Sequence, residues 1–209
     1  MSRPPQSAPP PDPVPDPVTD QPRVTPEHFD RLYANDPDPW KFATSDYERD
    51  KYSATLAALP RPRYISAFEV GCSIGVLTQQ LAARCDQVLA VDVAQAALQN
   101  AAARCKDLPG IRFARMVVPQ DWPEGKFDLI LFSEVLYYLS AGERLAAARL
   151  SLQGLAPDAA IILVNWHGPT DGDCTGDDAA EQFIAACSPV LRPVLQRRAE
   201  RYRLDVLSV

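Results

Sequence analysis

Apolar and polar positions along the chain change their pattern near residue 64. From there to about residue 166, short apolar runs alternate with segments whose apolar residues recur at helical spacing. Five of the runs predict strands, at residues 66–70, 87–93, 111–117, 127–133 and 160–166. Strands that alternate with helices indicate a mostly parallel sheet with helices on both faces, and therefore an α/β fold.

The predicted helices fall between these strands and after them. A helix follows a glycine loop near residue 75, residues 94–105 are rich in alanine, and Ser140 with Glu143 forms a capping box for a helix ending near residue 155. A further helix is predicted at 176–186. The last two apolar runs, 191–197 and 202–208, are joined too tightly for a parallel crossover, so they predict an antiparallel hairpin at a sheet edge.

The first 60 residues have a different pattern. Residues 1–23 carry almost no large apolar side chains, and ten of the 21 prolines precede residue 27, which predicts a disordered Pro-rich tail. Thr25-Pro26-Glu27 is typical of a helix start, and Ser45 with Glu48 forms a second capping box. Helices are therefore expected up to about residues 34 and 59. We divide the chain into a tail, 1–23, and one domain, 24–209.

Composition and charge exclude several classes of function. In the 209 residues, 21 Lys and Arg against 27 Asp and Glu give a net charge of −6, which disfavours binding to nucleic acid. The apolar run 159–164 is far too short to cross a bilayer and the N-terminus has no signal-peptide core, so we expect a cytoplasmic protein without membrane contact. Five cysteines without a Cys-x-x-Cys pair, and two histidines, indicate neither a disulfide framework nor a metal site.

A loop of small residues follows the first predicted strand and leads into a helix. In open α/β sheets, ligands bind at the carboxyl end of such a strand. A dinucleotide would require glycine at positions 71, 73 and 76, and Val76 fits the last of these poorly, so a nicotinamide-dependent oxidoreductase is disfavoured. The pattern Glu69-x-Gly71-x-Ser73-x-Gly75 resembles instead the acidic-x-Gly-x-Gly-x-Gly loop of class I S-adenosylmethionine (SAM)-dependent methyltransferases.

Two acidic residues stand at the ends of the neighbouring strands. Asp92 ends the second strand, 17 residues after Gly75. A carboxylate there can accept both ribose hydroxyls of a nucleoside, and the alternative is that it caps the following helix. Ser133 and Glu134 follow the fourth strand, where a methyl donor and its acceptor would meet. Glu134 can hold the cofactor's ammonium, orient an acceptor amine or take its proton, and the alternative is a carboxylate at a helix start.

Four segments resemble the nodulation protein S (NodS) family of SAM-dependent methyltransferases, over about residues 29–209. They are Asp36-Pro37-Asp38-Pro39-Trp40 with Tyr47-Glu48 and Lys51; the loop 69–75; Val118-Pro119-Gln120-Asp121-Trp122-Pro123; and residues 127–139 with their Ser-Glu-Val-Leu-Tyr-Tyr core. The resemblance implies the class I methyltransferase fold, a Rossmann-like three-layer sandwich around a seven-stranded, mostly parallel sheet whose last strand is antiparallel. It also implies that N-terminal helices, here within 24–60, close over the cofactor.

The resemblance further implies a reaction. SAM would give its methyl group to an acceptor and leave as S-adenosylhomocysteine (SAH). The name-giving family members methylate the free amine at the non-reducing sugar of a deacetylated chitin oligomer, and some relatives are fused to or encoded near sugar deacetylases. We therefore expect N-methylation of a small acceptor such as an amino sugar or oligosaccharide, with a sugar deacetylase as a candidate partner. O-methylation and a SAM-binding module without catalysis remain alternatives.

The candidate site residues come from these motifs. Glu134, assisted by Tyr137 or Tyr138, is the candidate for handling the acceptor's proton, and His167, at the end of the fifth strand, is a second candidate general base. Arg49 or Lys51 could pair with the cofactor's carboxylate, although a solvated helix face explains both equally well. The candidate cofactor-binding residues are Trp40, Glu69, Gly71, Cys72, Ser73, Gly75, Asp92, Val93, Val118 and Ser133.

Overall fold

The computed structural model describes residues 24–172 and 174–209, so the predicted tail, 1–23, lies outside the described residues. Two helices, α1 (Pro26–Asn35) and α2 (Asp46–Ala57), precede the sheet. The elements that follow are β1 (Tyr64–Val70), α3 (Val76–Leu81), β2 (Cys85–Asp92), α4 (Gln95–Arg104), β3 (Ile111–Arg115), β4 (Phe127–Ser133), a short 3-10 turn (Leu136–Tyr138), α5 (Ala141–Gly154), β5 (Leu155–Trp166), α6 (Gly176–Cys187), β6 (Arg192–Arg198) and β7 (Tyr202–Ser208).

The seven strands form one sheet in the order β3-β2-β1-β4-β5-β7-β6. Neighbouring strands from β3 to β5 pair in parallel, whereas β7 is antiparallel to both β5 and β6. The predicted mostly parallel sheet, with an antiparallel hairpin at one edge, is confirmed. Because β1 lies between β2 and β4, the chain changes direction across the sheet beside β1, and such a reversal creates a ligand-binding crevice at the carboxyl ends of the strands.

The central strands are buried on both faces, which explains their unbroken apolar runs. In β4, the four residues 129–132 are essentially inaccessible to solvent. Phe68 and Phe132 pack toward α5 and α6 on one face of the sheet, in a cluster that includes Phe183. Leu77 and Leu81 of α3 pack on the other face with residues of α2. The two apolar layers fix the sheet and leave its carboxyl edge for the site.

The predicted bounds of β4 and β7 coincide with the observed ones, and the largest difference is at β5. β5 begins at Leu155 instead of residue 160, because α5 leads directly into it and Leu155 pairs with Phe127 ahead of a bulge. β3 ends at Arg115 instead of residue 117. Beyond it, the Val117 N–H donates to the Asp121 carboxylate at 2.9 Å, which takes the chain away from the sheet.

The two predicted capping boxes form to different extents. Ser140 and Glu143 make both reciprocal hydrogen bonds at the start of α5. At the start of α2, the Ser45 hydroxyl accepts from the Glu48 N–H. The Glu48 carboxylate, however, accepts from Lys51 Nζ at 3.1 Å instead of returning to Ser45. The second bond of the box is therefore replaced by a contact with Lys51, three residues further along the same helix.

Three further findings concern the described residues alone. None of their helices is long and apolar enough to span a membrane. Their His, Cys, Asp and Glu side chains form no group of three or more that could hold a metal ion. Their five cysteines carry free thiols, of which four are buried.

Candidate active site

A cavity of about 430 Å³ opens at the carboxyl ends of β1, β2, β4 and β5. The strand ends and the loops after them form one side, and α1, the segment around residues 40–42 and the start of α2 form the other. Its volume suits a ligand of nucleoside size. Nine of the thirteen candidate residues line it: Trp40, Gly71, Ser73, Asp92, Val93, Val118, Ser133, Glu134 and Tyr138.

The glycine loop after β1 is shaped by two positions with positive φ. At Gly71, φ is +79°, and a Cβ there would lie 2.2 Å from Val135 Cγ2. At Gly75, φ is +75°, and a Cβ would lie 2.9 Å from that of Ala101 in α4. Both positions therefore require glycine. Gly75 lines no described cavity, and its contribution is the close packing of α3 against α4.

Ser73 stands where the resembling pattern has its middle glycine, and it joins three elements. Its φ is +49°, in the left-handed region. Its N–H donates to Asp92 Oδ2 at 2.9 Å, at the end of β2. Its hydroxyl is hydrogen-bonded to the phenol of Tyr33 in α1. The serine therefore links the loop to both the sheet and the first helix.

Asp92 lines the cavity and accepts two backbone hydrogen bonds. Besides the Ser73 bond, its Oδ1 accepts from the Ala94 N–H at 2.9 Å. The alternative interpretation was that Asp92 caps the following helix, but the N-cap of α4 is Ala94 and no side chain caps it, so the Asp92–Ala94 bond forms a local turn just before the helix. Burial raises the pKa of Asp92 above its ordinary value, and the backbone donors act in the opposite direction. A carboxylate has about four lone-pair sites, so two remain for a ligand.

Glu69, near the end of β1, and Cys72, in the glycine loop, do not line the main cavity. They border a second cavity of about 30 Å³, which Gly71, Ser73, Ser133 and Glu134 also line. Glu69 is 1% exposed, and its Oε2 has no hydrogen-bond partner among the described residues. Burial, reinforced by the nearby charge of Asp92, raises the pKa of Glu69 to about 7. A cation reaching this position would stabilise the ionised carboxylate.

The side of the cavity next to Asp92 is apolar. It is formed by Val93 after β2 and by Met116, Val117 and Val118 after β3. Val118 is buried and belongs to the main core cluster, so the surface it presents is fixed by packing. A flat apolar ring such as adenine would suit this surface.

The side of the cavity opposite the sheet is aromatic. Trp40 stacks on Phe42 with a centroid distance of 5.6 Å and meets the edge of Tyr33 at 5.7 Å. Phe29 of α1 meets Tyr138 edge to face at 5.0 Å, which joins this ring cluster to the carboxyl edge of the sheet. Trp40 is still 39% exposed, so it borders the cavity and does not fill the core.

Glu134 is held by three hydrogen-bond donors from three parts of the chain. Lys51 Nζ of α2 donates to its Oε1 at 2.7 Å. Its Oε2 accepts from the Tyr137 phenol at 2.8 Å and from the Trp166 N–H at 2.7 Å. The backbone of Glu134, which directly follows β4, has a φ of +60° and lies in the left-handed region. A non-glycine residue in this conformation is uncommon and is typical of functional sites.

The two tyrosines after Glu134 are donors at neutral pH. Burial and the Glu134 charge raise the pKa of Tyr137 well above its ordinary value. Burial, with the charges of Glu134 and Asp171, raises the pKa of Tyr138 to about 12. Neither phenol is therefore suited to take a proton from an amine near neutral pH. Tyr138 borders the cavity, where its hydroxyl can orient an acceptor.

His167 lies outside the cavity. Its Nε2 is 3.2 Å from the Ala199 carbonyl oxygen, at the turn between β6 and β7. Successive residues of an extended segment point to opposite sides, and the preceding Trp166 is the one that lines the cavity. The geometry gives a general-base assignment for His167 no support, and we leave this residue out of the proposed machinery.

Several cavity residues were missed in the sequence. Phe29 and Tyr33 are four residues apart on a predicted helix, a spacing that indicates one shared face and could have identified them. Lys51 is 2% exposed and paired with two glutamates, so the interpretation as a solvated helix face is wrong for it. That interpretation does fit Arg49, which is exposed and pairs with Asp46.

Comparison with known proteins identifies similar chains. Residues 28–199 match the family model described as Nodulation protein S (NodS). The chain is 35% identical over 127 residues to Nodulation protein S of Bradyrhizobium diazoefficiens, an alignment that covers 60% of this chain and 61% of the relative. Alignments with the curated relatives span 54–61% of the length of those proteins.

Two solved structures are similar over nearly their whole length. A protein from Pseudomonas syringae assigned as a methyltransferase is 33% identical, with a TM-score of 0.68 over 78% of this chain and 99% of that one. The N-methyltransferase NodS from Bradyrhizobium japonicum WM9, crystallised with SAH, is 26% identical, with a TM-score of 0.74 over 87% of this chain and 96% of that one. The fold is that of the class I SAM-dependent methyltransferases, as predicted.

Proposed function

The chain belongs to the nodulation protein S (NodS) family, and on that premise we propose that it is a SAM-dependent methyltransferase whose acceptor is an amine. One observation carries the proposal. The glycine loop, the Asp92 carboxylate and an apolar wall converge on one cavity, in a fold shared with a NodS that was crystallised with SAH. Glu134 lines the same cavity, directly after the end of β4.

The residues of the cavity fit the donor group by group. SAM supplies a methyl group that is already activated on a sulfonium, so the protein's contribution is alignment and exclusion of water. Asp92 would accept from the ribose hydroxyls with its free lone pairs. Val93 and Val118 would contact the adenine. Gly71 and Ser73 would approach the amino-acid end with their backbone groups, above the unpartnered oxygen of Glu69.

The other end of the cavity suits an acceptor that carries a positive charge. It is lined by Glu48 and Glu134, with Lys51 between them, so the two carboxylates outnumber the ammonium. Tyr138 and Trp166 add aromatic surface and, in Tyr138, a hydroxyl. We take the acceptor to be the free amine of an amino sugar or oligosaccharide. A sugar deacetylase produces such an amine from an N-acetyl group and is the partner we propose.

The donor half of the proposal is tested by calorimetric titration with SAM and SAH. We expect both to bind to the wild-type protein and Asp92→Ala to weaken binding about 10- to 100-fold, because hydrogen bonds to a charged group contribute about 1.5–3 kcal/mol. Asp107→Ala removes an exposed carboxylate outside the cavity and serves as the control. Folded wild-type protein that binds neither compound would refute the proposal.

The acceptor half is tested with SAM that carries a labelled methyl group. The probes are a β-1,4-linked glucosamine oligomer and its fully N-acetylated form, which have the same hydroxyls but differ in the free amine. Label in the glucosamine oligomer alone supports N-methylation. Label in both would identify a hydroxyl as the acceptor and refute the amine.

A further inference from the structure

Two carboxylates share one buried ammonium at the acceptor end of the cavity. Lys51 Nζ lies 2.7 Å from Glu134 Oε1 and 2.9 Å from Glu48 Oε2. Glu48 and Lys51 are 7% and 2% exposed, although both belong to the helix that precedes the sheet. The cluster Glu48–Lys51–Glu134 therefore holds one negative charge in excess. A single proton would neutralise it and still leave one ion pair intact.

The two carboxylates of this cluster are not equivalent. Glu134 accepts from Lys51, Tyr137 and the Trp166 N–H, and all three of these groups are donors at neutral pH. A proton on Glu134 would compete with these donors, which already occupy three of its about four lone-pair sites. Glu48 accepts from Lys51 through Oε1 at 3.1 Å, and its Oε2, 2.9 Å from the same Nζ, has no hydrogen-bond partner among the described residues. The proton is therefore accommodated more easily on Glu48.

We propose that Glu48 is the general base that takes the proton of the acceptor's ammonium, and that Lys51 and Glu134 are positioning residues. This inference rests on the proposed function and deepens it. It transfers to Glu48 a role that the sequence suggested for Glu134. Glu48 is 7% exposed and lines the cavity, which places its side chain beside a bound acceptor.

The electrostatic surroundings of Glu48 agree with this role. Burial raises the pKa of Glu48 above its ordinary value; Lys51 opposes the rise and the Glu134 charge adds to it. A carboxylate with a raised pKa is a stronger base than a solvated one. The groups that face Glu48 are Lys51, Tyr52 and Tyr47 on its own helix and its N-terminal turn, and Glu134 from the end of β4.

In the proposed step, proton transfer precedes methyl transfer. An N–H bond of the bound ammonium breaks, its proton forms an O–H bond on Glu48, and the electron pair stays on nitrogen. The nitrogen then forms a bond to the methyl carbon while the carbon–sulfur bond breaks and its electron pair remains on sulfur. The positive charge has moved from sulfur to the methylated nitrogen. Glu48 returns its proton to water when the product leaves.

The first test compares pH profiles of kcat/KM on the glucosamine oligomer. Glu48→Gln keeps the side-chain size and leaves Lys51 paired with Glu134, so the protein should fold. We expect activity near neutral pH to fall about 10²- to 10⁴-fold, the usual contribution of a general base. The loss of activity should become smaller as pH rises, because a growing share of the acceptor then binds as the unprotonated amine and needs no base. Asp50→Asn, the same chemical change at an exposed position of α2, is the control and should match the wild type.

The positioning residues have a different signature. In Glu134→Gln, a like charge beside Glu48 is gone, so the acid limb of the profile should remain and move to lower pH. In Glu48→Gln the acid limb should disappear. A wild-type profile in Glu48→Gln, or loss of the limb in Glu134→Gln alone, would overturn the proposal.

The second test does not depend on turnover. Carbon-13 NMR of glutamate carboxyl groups in the SAH complex should show a resonance that titrates above the usual range and is missing in Glu48→Gln. Glu69→Gln removes the resonance of Glu69, the other glutamate with a raised pKa, and so completes the assignment. If SAH binds but Glu48 titrates in the ordinary range, the base assignment fails alone. If SAH does not bind, the proposed function fails with it.

Discussion

Replacing Glu69 by glutamine measures how much stability the protein loses by burying a carboxyl group beneath its glycine loop. The side chain is 1% exposed, and burial raises its pKa from 4.5 to about 7. Between these two values the folded protein keeps a proton that the unfolded chain has released. The free energy of unfolding therefore falls as pH rises through this window. Above about pH 7 the free energy of unfolding has lost this whole contribution.

The size of the effect follows from the difference between the two pKa values. A pKa about 2.5 above the ordinary value corresponds to about 3 kcal/mol, because each pH unit is worth 1.36 kcal/mol. Glutamine has a similar shape and no charge to bury. The ligand-free Glu69→Gln variant should therefore be more stable than the wild type at pH 8 by up to about 3 kcal/mol. For a domain of this size, that raises the melting temperature by about 6–12 °C.

The assay is thermal unfolding of both proteins, without ligand, at several pH values from 4.5 to 8. The difference in melting temperature should be small at pH 4.5 and grow toward pH 8. Glu124→Gln, the same change at an exposed position, should show no such trend. Equal gains at both ends of the range, or a variant less stable at pH 8, would refute the reasoning. We also expect weaker SAM binding in Glu69→Gln, since the ionised carboxylate is what a cationic ligand would stabilise.

Two further substitutions test individual contacts. Tyr33→Phe removes the hydrogen bond to Ser73, worth about 0.5–1.5 kcal/mol, so SAH should dissociate about 2- to 10-fold faster in stopped-flow experiments. Ser73→Gly should have a similar effect, and the double variant should add little; full additivity would show that the two side chains act separately. His167→Ala should leave kcat and its pH profile unchanged, because the imidazole lies against Ala199 outside the cavity. A lost acid limb in this variant would restore His167 as a base.

The fold was predictable because the relevant signals are local. Apart from Asp128, residues 127–132 are apolar and polar residues follow them, and the predicted run 127–133 is β4 with the same bounds. The early start of β5 was not predictable, because Pro157 and Asp158 interrupt its apolar pattern. Asp158 has a φ of +56° next to the bulge that accommodates this interruption. Pairing with Phe127, 28 residues earlier, overrides the local preference.

The side of the cavity that we propose for the donor could also be predicted from the sequence, whereas the side proposed for the acceptor could not. Gly71 and Asp92 were found by spacing along the chain, since the loop and the second strand are consecutive elements. Glu48 and Lys51 are three residues apart on a helix, a spacing typical of an exposed ion pair. Their burial depends on Glu134, which is 83 residues away from Lys51. No pattern within α2 indicates Glu134 as a partner, because only the folded sheet brings this residue close to Lys51.

The predicted lid, residues 24–60, contains two helices that the rest of the protein holds very differently. Removing α2 would leave Glu134 without its ammonium, and breaking a buried ion pair in this way costs about 3–5 kcal/mol. By contrast, the polar contacts of α1 are the Tyr33–Ser73 bond and an exposed Asp30–Arg115 pair worth at most about 1 kcal/mol, beside the packing of its apolar side chains on Ile74 and α4. If the cavity opens to exchange SAM for SAH, α1 therefore has the weaker electrostatic contacts to break. The buried Glu48 carboxylate of α2 then stays with the sheet through the whole cycle, in place for the next acceptor.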